Sequence, residues 1–383
     1  MEYILDENSL SIEDLVNIVK KRYIITLSET LSQKIKQSYN LLNLYIKHLD
    51  PIIKDEKFNM ISSCSYLNKE EVRSIIITLI YTASNGNSGI SYKTIKGIID
   101  KIDKLEDINI PEISLTPISM HPYGHILSHL DTTDVERRII LKSKGYYLAI
   151  LALLYYRLEI IRKLLSIIFV LYYRKVKFQN PYINPYILAL NPHLSLIRLG
   201  ENINILTKKE KNRSLLDLNS IDITFNKLWH LYDLSYKLKE ILNIELNSSQ
   251  FPIVFNIEKE SYVLNPLSTT EKYLLISCLE NITKSIIEIL FILYPSETYK
   301  LLSMKRSKNY ENNVLYFKKI FNIFEEILSK LLLDLLEKNN LQTELENLLI
   351  DFLKESKIET YKELTLSLEN LIFFIENQME ELY

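Results

Sequence analysis

The chain has 383 residues, of which 47% are hydrophobic and 25% are charged, an ordinary composition for a globular protein with a sizeable core. Its formal net charge of −2 excludes an overall basic field, so we expect neither nucleic acid nor an anionic membrane as a partner. The sequence contains no GxGxxG and no GxxxxGK[ST] pattern, which excludes nucleotide binding through a glycine-rich loop. Two distant cysteines and an N-terminus without a basic, apolar leader favour a cytoplasmic protein.

Apolar residues at helical spacing predict helices through most of the chain. Ser11 and Asn68 are predicted N-caps, each followed three residues later by an acidic residue, as in a capping box. Ser28 is predicted to cap a helix that runs to about His48. Further helices are predicted over 91–105, 144–175, a short stretch from 193, 218–242, 270–294, 313 onward, 341–354 and 359–382.

The most apolar stretch is Tyr146–Tyr173. Charged residues from Arg157 to Lys163 interrupt it and leave apolar pieces shorter than the ~20 residues that a bilayer requires. We therefore predict a buried helix here and no membrane span.

One segment departs from the helical pattern. Residues 244–255, followed by 258–264, are predicted to form an extended excursion or a hairpin. Since no fixed repeat or low-complexity linker occurs, we predict an all-α fold. It comprises an N-terminal helical region (1–140) and a central helix bundle (141–383), which we expect to form one continuous body.

Three of the six histidines lie four residues apart, at His121, His125 and His129. Ser119 is a plausible N-cap and Pro122 suits the first turn, so a helix beginning here would carry all three imidazoles on one face. Three interpretations stay open: packing in a polar network, acid–base or ligand contact, and metal binding. A metal ion would be shared by only two neighbours, such as His121 and His125, with a carboxylate from elsewhere.

Four segments occur in the same order as the motifs of one known enzyme family. Leu10–Val16 with Thr26–Glu29 resembles the opening helices of that family, and Asn85–Ile90 resembles its R-G-x-S-G-V/I turn. Pro192–Asn202 resembles its R-P-H-P-G-Q segment, and Ile244–Phe255 resembles I-E-x-N-S-x-x-D-N-P-L-V-F with one residue missing. In these segments the chain resembles the aromatic amino acid ammonia-lyases, the histidine and phenylalanine ammonia-lyase superfamily. The resemblance covers roughly residues 9–300 and implies a long helix bundle, in which we expect Glu245 and Asn247 to brace the structure.

The family's chemistry depends on methylidene-imidazolone (MIO), an electrophile formed by cyclisation of an internal Ala-Ser-Gly. Placing the family's P-L-A-H on Pro122–His125 puts that triad on Thr116–Ile118, and Ala-Ser-Gly occurs nowhere in this chain. The loop with the family's catalytic tyrosine has no counterpart between residues 45 and 62. By spacing, the family's D-P-Y-S-L-R falls on Asp217–Asp222, so its tyrosine becomes Asn219 and its carboxylate-binding arginine becomes Asp222. We therefore expect a divergent relative without MIO and without another cofactor.

Two functions remain open. The first is a repurposed protein that binds or acts on an amino-acid-derived small molecule or peptide with histidine and carboxylate groups in the old lyase cavity. The second is a catalytically inactive scaffold or partner subunit of a biosynthetic assembly. The resemblance implies a homo-oligomer, a dimer or tetramer through the long helices. The acid–base candidates are His121, His125, His129 and Asp222, and the ligand-contact candidates are Tyr123, Asn219 and Tyr146.

Overall fold

The computed structural model describes residues 2–49, 65–85, 87–112, 122–173, 190, 193–207, 218–265, 270–302, 314–337 and 344–380. In chain order these form β1 (Glu2–Leu5), α1 (Ile12–Lys20), β2 (Ile24–Leu27), α2 (Glu29–Leu49), α3 (Lys69–Ser84), α4 (Tyr92–Asp100), α5 (Ile102–Leu105), α6 (Pro122–Leu127), α7 (Asp134–Leu141), α8 (Gly145–Tyr173), α9 (Leu194–Thr207), α10 (Leu218–Leu246), β3 (Ile253–Asn256), β4 (Ser261–Leu264), α11 (Thr270–Leu293), α12 (Pro295–Leu302), α13 (Val314–Glu337), α14 (Glu344–Glu355) and α15 (Tyr361–Glu380). The predicted all-α fold is confirmed.

The predicted helix starts are set by local side-chain caps. The side chains of Ser11 and Asn68 each accept a hydrogen bond from the backbone N–H three residues later. In return, the carboxylates of Asp14 and Glu71 accept from the backbone N–H of the cap residue. Ser28 Oγ accepts from the N–H of Leu31 at the start of α2. Because these caps satisfy backbone donors that a helix start leaves unpaired, sequence alone placed these starts within a residue.

Two helix boundaries differ from the prediction. The single helix predicted over 91–105 is divided into α4 and α5, because the N–H of Lys101 turns back to the carbonyl of Ile98. The helix predicted to end near residue 242 continues to Leu246, so the first residues of the predicted extended segment are helical. The hairpin itself is present, with β3 and β4 antiparallel.

Two further features were not predicted. β1 and β2 form a parallel pair in which Glu2 lies opposite Ile24. Helices α7 and α12 were not predicted either; α7 begins with a capping box of Thr133 and Glu136. The buried Glu136 carboxylate also accepts a hydrogen bond from the N–H of Ser91, the cap residue of α4. One carboxylate therefore organises the starts of two helices.

The chain divides into two compact units. The first comprises Met1–Tyr156, Lys239–Leu275 and Asn312–Leu315, and the second comprises Arg157–Leu238, Ile276–Glu311 and Tyr316–Tyr383. Each unit is made of several separate ranges of the chain, so these units do not test a division of the sequence at residue 140. That division stays a prediction.

Helix α3 is the central element of the first unit. Every residue from Glu71 to Ser84 is buried, and the helix packs against α1, α2, α4 and α5. A helix with no solvent face lies inside a core. Its one buried guanidinium, on Arg73, is paired with Glu106 at 2.9 Å. Within the part of the chain that the structure describes, no helix is long and apolar enough to cross a membrane.

Candidate functional site

The helix that carries the histidine motif is short. Helix α6 spans Pro122–Leu127, with Pro122 in its first turn, as predicted; the predicted N-cap, Ser119, lies outside the described residues. Beyond the end of α6, the N–H of Ser128 still donates to the carbonyl of Gly124, and the Ser128 hydroxyl donates to the carbonyl of His125. His129 therefore lies in the turn beyond the helix. The prediction of three imidazoles on one continuous helical face is wrong for His129, and His121 lies outside the described residues.

His125 and His129 lie in different environments. His125 is 6% exposed, whereas His129 is exposed and its carbonyl accepts a hydrogen bond from Lys101 at 3.2 Å. Burial lowers the pKa of His125, and the neighbouring His129 lowers it further, because both disfavour a charged imidazole. A neutral imidazole suits a core position, and it also suits a general base.

Tyr123 occupies a tight, buried position next to Gly145. A Cβ on Gly145 would lie 2.9 Å from the Tyr123 hydroxyl oxygen and 3.4 Å from Cγ2 of Thr78. The Tyr146 ring packs edge-to-face on Tyr123, with ring centres 5.8 Å apart. The two tyrosines that were predicted to contact a ligand thus lie together, and the absence of a side chain at residue 145 makes room for the phenol.

Burial dominates the chemistry of these phenols. It raises the pKa of Tyr146 to about 12. It raises the pKa of Tyr123 further, assisted by Tyr146 and opposed in part by hydrogen bonds to the Ser143 side chain and the Tyr146 backbone. Both phenols are therefore neutral at physiological pH and can act only as hydrogen-bonding groups or as acids of very low strength.

Two threonines of α3 complete this environment, and neither was predicted. Thr82 donates its hydroxyl proton to the carbonyl of Thr78, one helical turn earlier. Thr78 is fully buried, and its hydroxyl oxygen has no hydrogen-bond partner among the described residues. The sequence signal was a pair of threonines at i and i+4 within an apolar helix, which alone indicates nothing about a site.

The remaining predicted site residues lie on α10. Asp222 is partly exposed near the start of this helix, and Asn219 belongs to the same first turns. Both belong to the second unit, whereas Tyr123 and His125 belong to the first. The interpretation of Asp222 and Asn219 as site residues stays a prediction.

No cluster of three or more histidine, cysteine, aspartate or glutamate side chains that could hold a metal ion occurs among the described residues. His121 is outside them, so metal binding by His121 and His125 stays untested. A surface groove of about 320 Å³ lies between α4 and the turn at Leu130. Lys93 at its edge forms an ion pair with Asp131 at 3.0 Å, as is usual for exposed charges.

Three of the four segments that carry the family resemblance lie in the first unit and contact one another there. The Asn247 side chain accepts from the N–H of Leu10 and donates to its carbonyl, both at 2.9 Å, and the Tyr81 hydroxyl donates to the same Asn247 oxygen. Asn243 accepts from the N–H of Ile12 at 3.0 Å. The predicted bracing role of Asn247 is confirmed, since one carboxamide joins the N-terminal segment to the end of α10.

A second contact joins two more of these segments. Gly89, in the turn 85–90, has a φ of +74°, and a Cβ there would lie 2.6 Å from Cε2 of Phe255 in β3. The N–H of Phe255 donates to the carbonyl of Asn87 at 2.9 Å. Ser38 of α2 accepts from the N–H of Gly89 at 2.8 Å. The glycine turn, the hairpin and α2 are thus held together at one point.

No family model matches the sequence. An alignment of 148 positions is 29% identical to histidine ammonia-lyase of Mus musculus, and it covers 32% of this chain and 22% of that enzyme. The sequence match therefore extends over about a fifth of the relative's length.

Similarity in structure extends over the whole chain. Histidine ammonia-lyase from Trypanosoma cruzi matches with a TM-score of 0.69 at 13% identity, covering 100% of this chain and 94% of that one. Tyrosine aminomutase from Streptomyces globisporus matches with a TM-score of 0.73 at 11% identity, covering 99% of this chain and 98% of that one. With the contacts among its motif segments, these matches confirm the resemblance predicted from the sequence: the chain has the fold of the aromatic amino acid ammonia-lyase superfamily.

Proposed function

We propose that this protein is a catalytically inactive ammonia-lyase-like scaffold, which serves as a homo-oligomeric partner subunit. One observation carries the proposal. The family-like residues that the chain retains, such as Gly89 and Asn247, hold the backbone of the first unit together. The family positions that would do chemistry are occupied by residues that lack the required groups.

The electrophile is the clearest case. Cyclisation to MIO needs a glycine nitrogen that attacks a nearby carbonyl and a serine that loses water. At the corresponding positions, Pro117 has no hydroxyl to lose as water, and Ile118 carries a β-branched side chain next to the nitrogen that would attack. These residues do not fit MIO formation, and we derive no catalytic step that uses MIO.

The packing of α6 also favours an inactive protein. All six residues from Pro122 to Leu127 are buried, and Tyr123 is 0% exposed against Gly145. A group that exchanges protons with a substrate must reach it within about 3 Å. Side chains that fill a core in this way stabilise the fold without offering such an approach.

The alternative is MIO-free acid–base chemistry on, or binding of, an amino-acid-derived molecule or peptide. The lowered pKa of His125 favours it, because a neutral imidazole accepts a proton at pH 7. The buried Thr78 hydroxyl, next to Tyr123 and Gly145, adds a polar group to the same region. On this alternative His125 is the base, and Tyr123 and Tyr146 contact the ligand.

The oligomer is part of the proposal. Resemblance to the ammonia-lyases implies assembly through long helices, and α8 and α10, each 29 residues long, are the corresponding elements here. A cytoplasmic partner protein would then bind the assembled scaffold.

The test combines assembly and turnover. Light scattering after gel filtration should give a mass of at least two chains, and L-histidine, L-phenylalanine and L-tyrosine should yield no unsaturated acid by absorbance. A monomer would contradict the scaffold. Release of product that His125→Gln abolishes, while Gly97→Ala leaves it unchanged, would instead establish the acid–base alternative.

A further inference from the structure

The second unit contains a buried arginine that the proposed scaffold does not use. Arg162 of α8 is only 5% exposed, and its Nε and Nη2 donate to Glu159 at 3.1 and 2.5 Å. Its remaining nitrogen, Nη1, is buried and has no hydrogen-bond acceptor among the described residues. A buried charged donor without an acceptor costs free energy, so this end of the guanidinium favours an anion from outside the chain.

The face of the same guanidinium is occupied by an aromatic ring. The central carbon of Arg162 lies 3.9 Å from the ring centre of Tyr232, a cation–π contact. The Tyr232 hydroxyl accepts from Asn202 Nδ2 at 3.1 Å and lies 2.9 Å from Ser166 Oγ. Since Ser166 donates its own proton to the carbonyl of Arg162, the Tyr232 hydroxyl is the donor to Ser166. The Tyr232 hydroxyl is therefore hydrogen-bonded to Asn202 and Ser166, and Tyr232 contacts Arg162 through the face of its ring.

A second guanidinium lies close by. Arg198 of α9 is exposed, donates from Nη1 to the Tyr236 hydroxyl at 2.9 Å, and has its central carbon 4.9 Å from the Tyr236 ring centre. The central carbon of Arg162 lies 5.6 Å from the centre of that ring. Two positive charges thus share one aromatic ring, and within the cluster Arg162, Arg198, Glu159, Tyr232 and Tyr236 only Glu159 is negative.

We propose that this cluster, the Arg162 cluster, is a binding site for a small carboxylate attached to an apolar body. The carboxylate accepts from Nη1 of Arg162 and is attracted by Arg198, while the apolar body packs on the Tyr232 and Tyr236 rings. Tyr236 is partly exposed and Arg198 is exposed, so displacement of these two side chains admits the ligand without opening the core. A singly charged carboxylate fits such aromatic surroundings better than phosphate, whose larger charge costs more to desolvate.

The experiment is calorimetric titration of the full-length protein with benzoate, with benzamide as a neutral analogue of the same shape. Arg162→Lys keeps the positive charge but removes Nη1, and Arg198→Gln removes the outer charge. Each should weaken benzoate binding by about 10-fold, the effect of losing one charged hydrogen bond or a nearby charge. The matched control is Arg157→Gln, because Nε and Nη2 of Arg157 donate to Glu325 and Asn322. It should leave binding unchanged.

Several results would overturn the site. These are no benzoate binding by the wild type, equal binding of benzamide, binding of inorganic phosphate alone, or an equal loss in Arg157→Gln. If circular dichroism shows that Arg162→Lys does not fold, Arg198→Gln decides the matter, and undiminished binding in that variant also overturns the proposal. A negative result leaves the scaffold function intact, because that function is tested by the mass of the assembly and does not require benzoate binding.

Discussion

Gly89 and Phe255 approach each other so closely that a methyl group on Gly89 would lie 2.6 Å from the Phe255 ring. Gly89 also has a φ of +74°, a conformation that residues with a Cβ rarely adopt. Gly89→Ala therefore introduces both a clash and backbone strain. We expect it to lower the free energy of unfolding by about 2–4 kcal/mol, measured by urea denaturation.

Gly97 is a matched control for this substitution, because a Cβ there meets nothing within 4 Å and the residue lies inside α4. Gly97→Ala should raise stability by up to about 1 kcal/mol, since alanine favours helix over glycine. Equal losses in both variants would contradict the importance of the Gly89 contact.

Asn247→Ala should detach the N-terminal segment. The substitution removes a carboxamide that pairs with both backbone groups of Leu10, so the Leu10 carbonyl loses this donor while the Leu10 N–H retains the Tyr81 hydroxyl as an acceptor. We expect a loss of about 2–3 kcal/mol and faster amide hydrogen exchange at Leu10 and Ile12. Ser248→Ala is the control, because its hydroxyl donates to the carbonyl of Ile244 within the same helical turn at an exposed position. Its loss should change stability by less than about 0.5 kcal/mol.

The contact between Tyr123 and Gly145 is suited to a double-mutant cycle. Gly145→Ala places a methyl group 2.9 Å from the Tyr123 hydroxyl, so we expect a loss of about 1–3 kcal/mol. In a Tyr123→Phe background the hydroxyl is gone, and the same alanine should cost at least about 1 kcal/mol less. Thermal unfolding of the four proteins measures the coupling, and additive effects would show that the two residues do not interact as described.

His125 should make stability depend on pH in a defined direction. Its pKa in the folded protein is lowered from 6.5, so the unfolded chain binds the proton more readily. The stability gained from the neutral imidazole is fully present above pH 6.5 and is lost as the pH falls through the folded pKa. Urea midpoints at several pH values should therefore fall between about pH 7 and pH 5.

His125→Gln should flatten that slope, because glutamine does not titrate. His129→Gln should leave most of it, since His129 is exposed and affects His125 only as a neighbouring charge. An unchanged slope in His125→Gln would assign the pH dependence to other groups.

Local signals account for the parts of the fold that sequence predicted. The caps at Ser11 and Asn68 depend on residues three positions apart, and the hairpin follows from a break in helical spacing. The parallel pair of β1 and β2 was missed, because each strand has only four residues and each pairs with residues about 20 positions away. Short strands of this kind are fixed by tertiary contacts and carry little pattern of their own.

In the candidate site, too, local signals could be predicted from the sequence and tertiary contacts could not. The sequence predicted Pro122 in the first turn of a helix, and the histidine spacing extended that helix to His129. The helix ends earlier, at Leu127, where the Ser128 hydroxyl donates to the carbonyl of His125. The approach of Tyr123 and Thr78 to Gly145 joins residues from three separate helices. No pattern within one helix could have predicted it.

The meeting of the motif segments affects how similarity to this chain is interpreted. Leu10, Gly89, Asn247 and Phe255 contribute to the resemblance, and each is held in place by a contact with another of these segments. These contacts hold the backbone in place, so they contribute to the fold whether or not the chain releases ammonia. An activity assigned from the similarity of these segments would therefore rest on residues that stabilise the fold and not on residues that carry out a reaction.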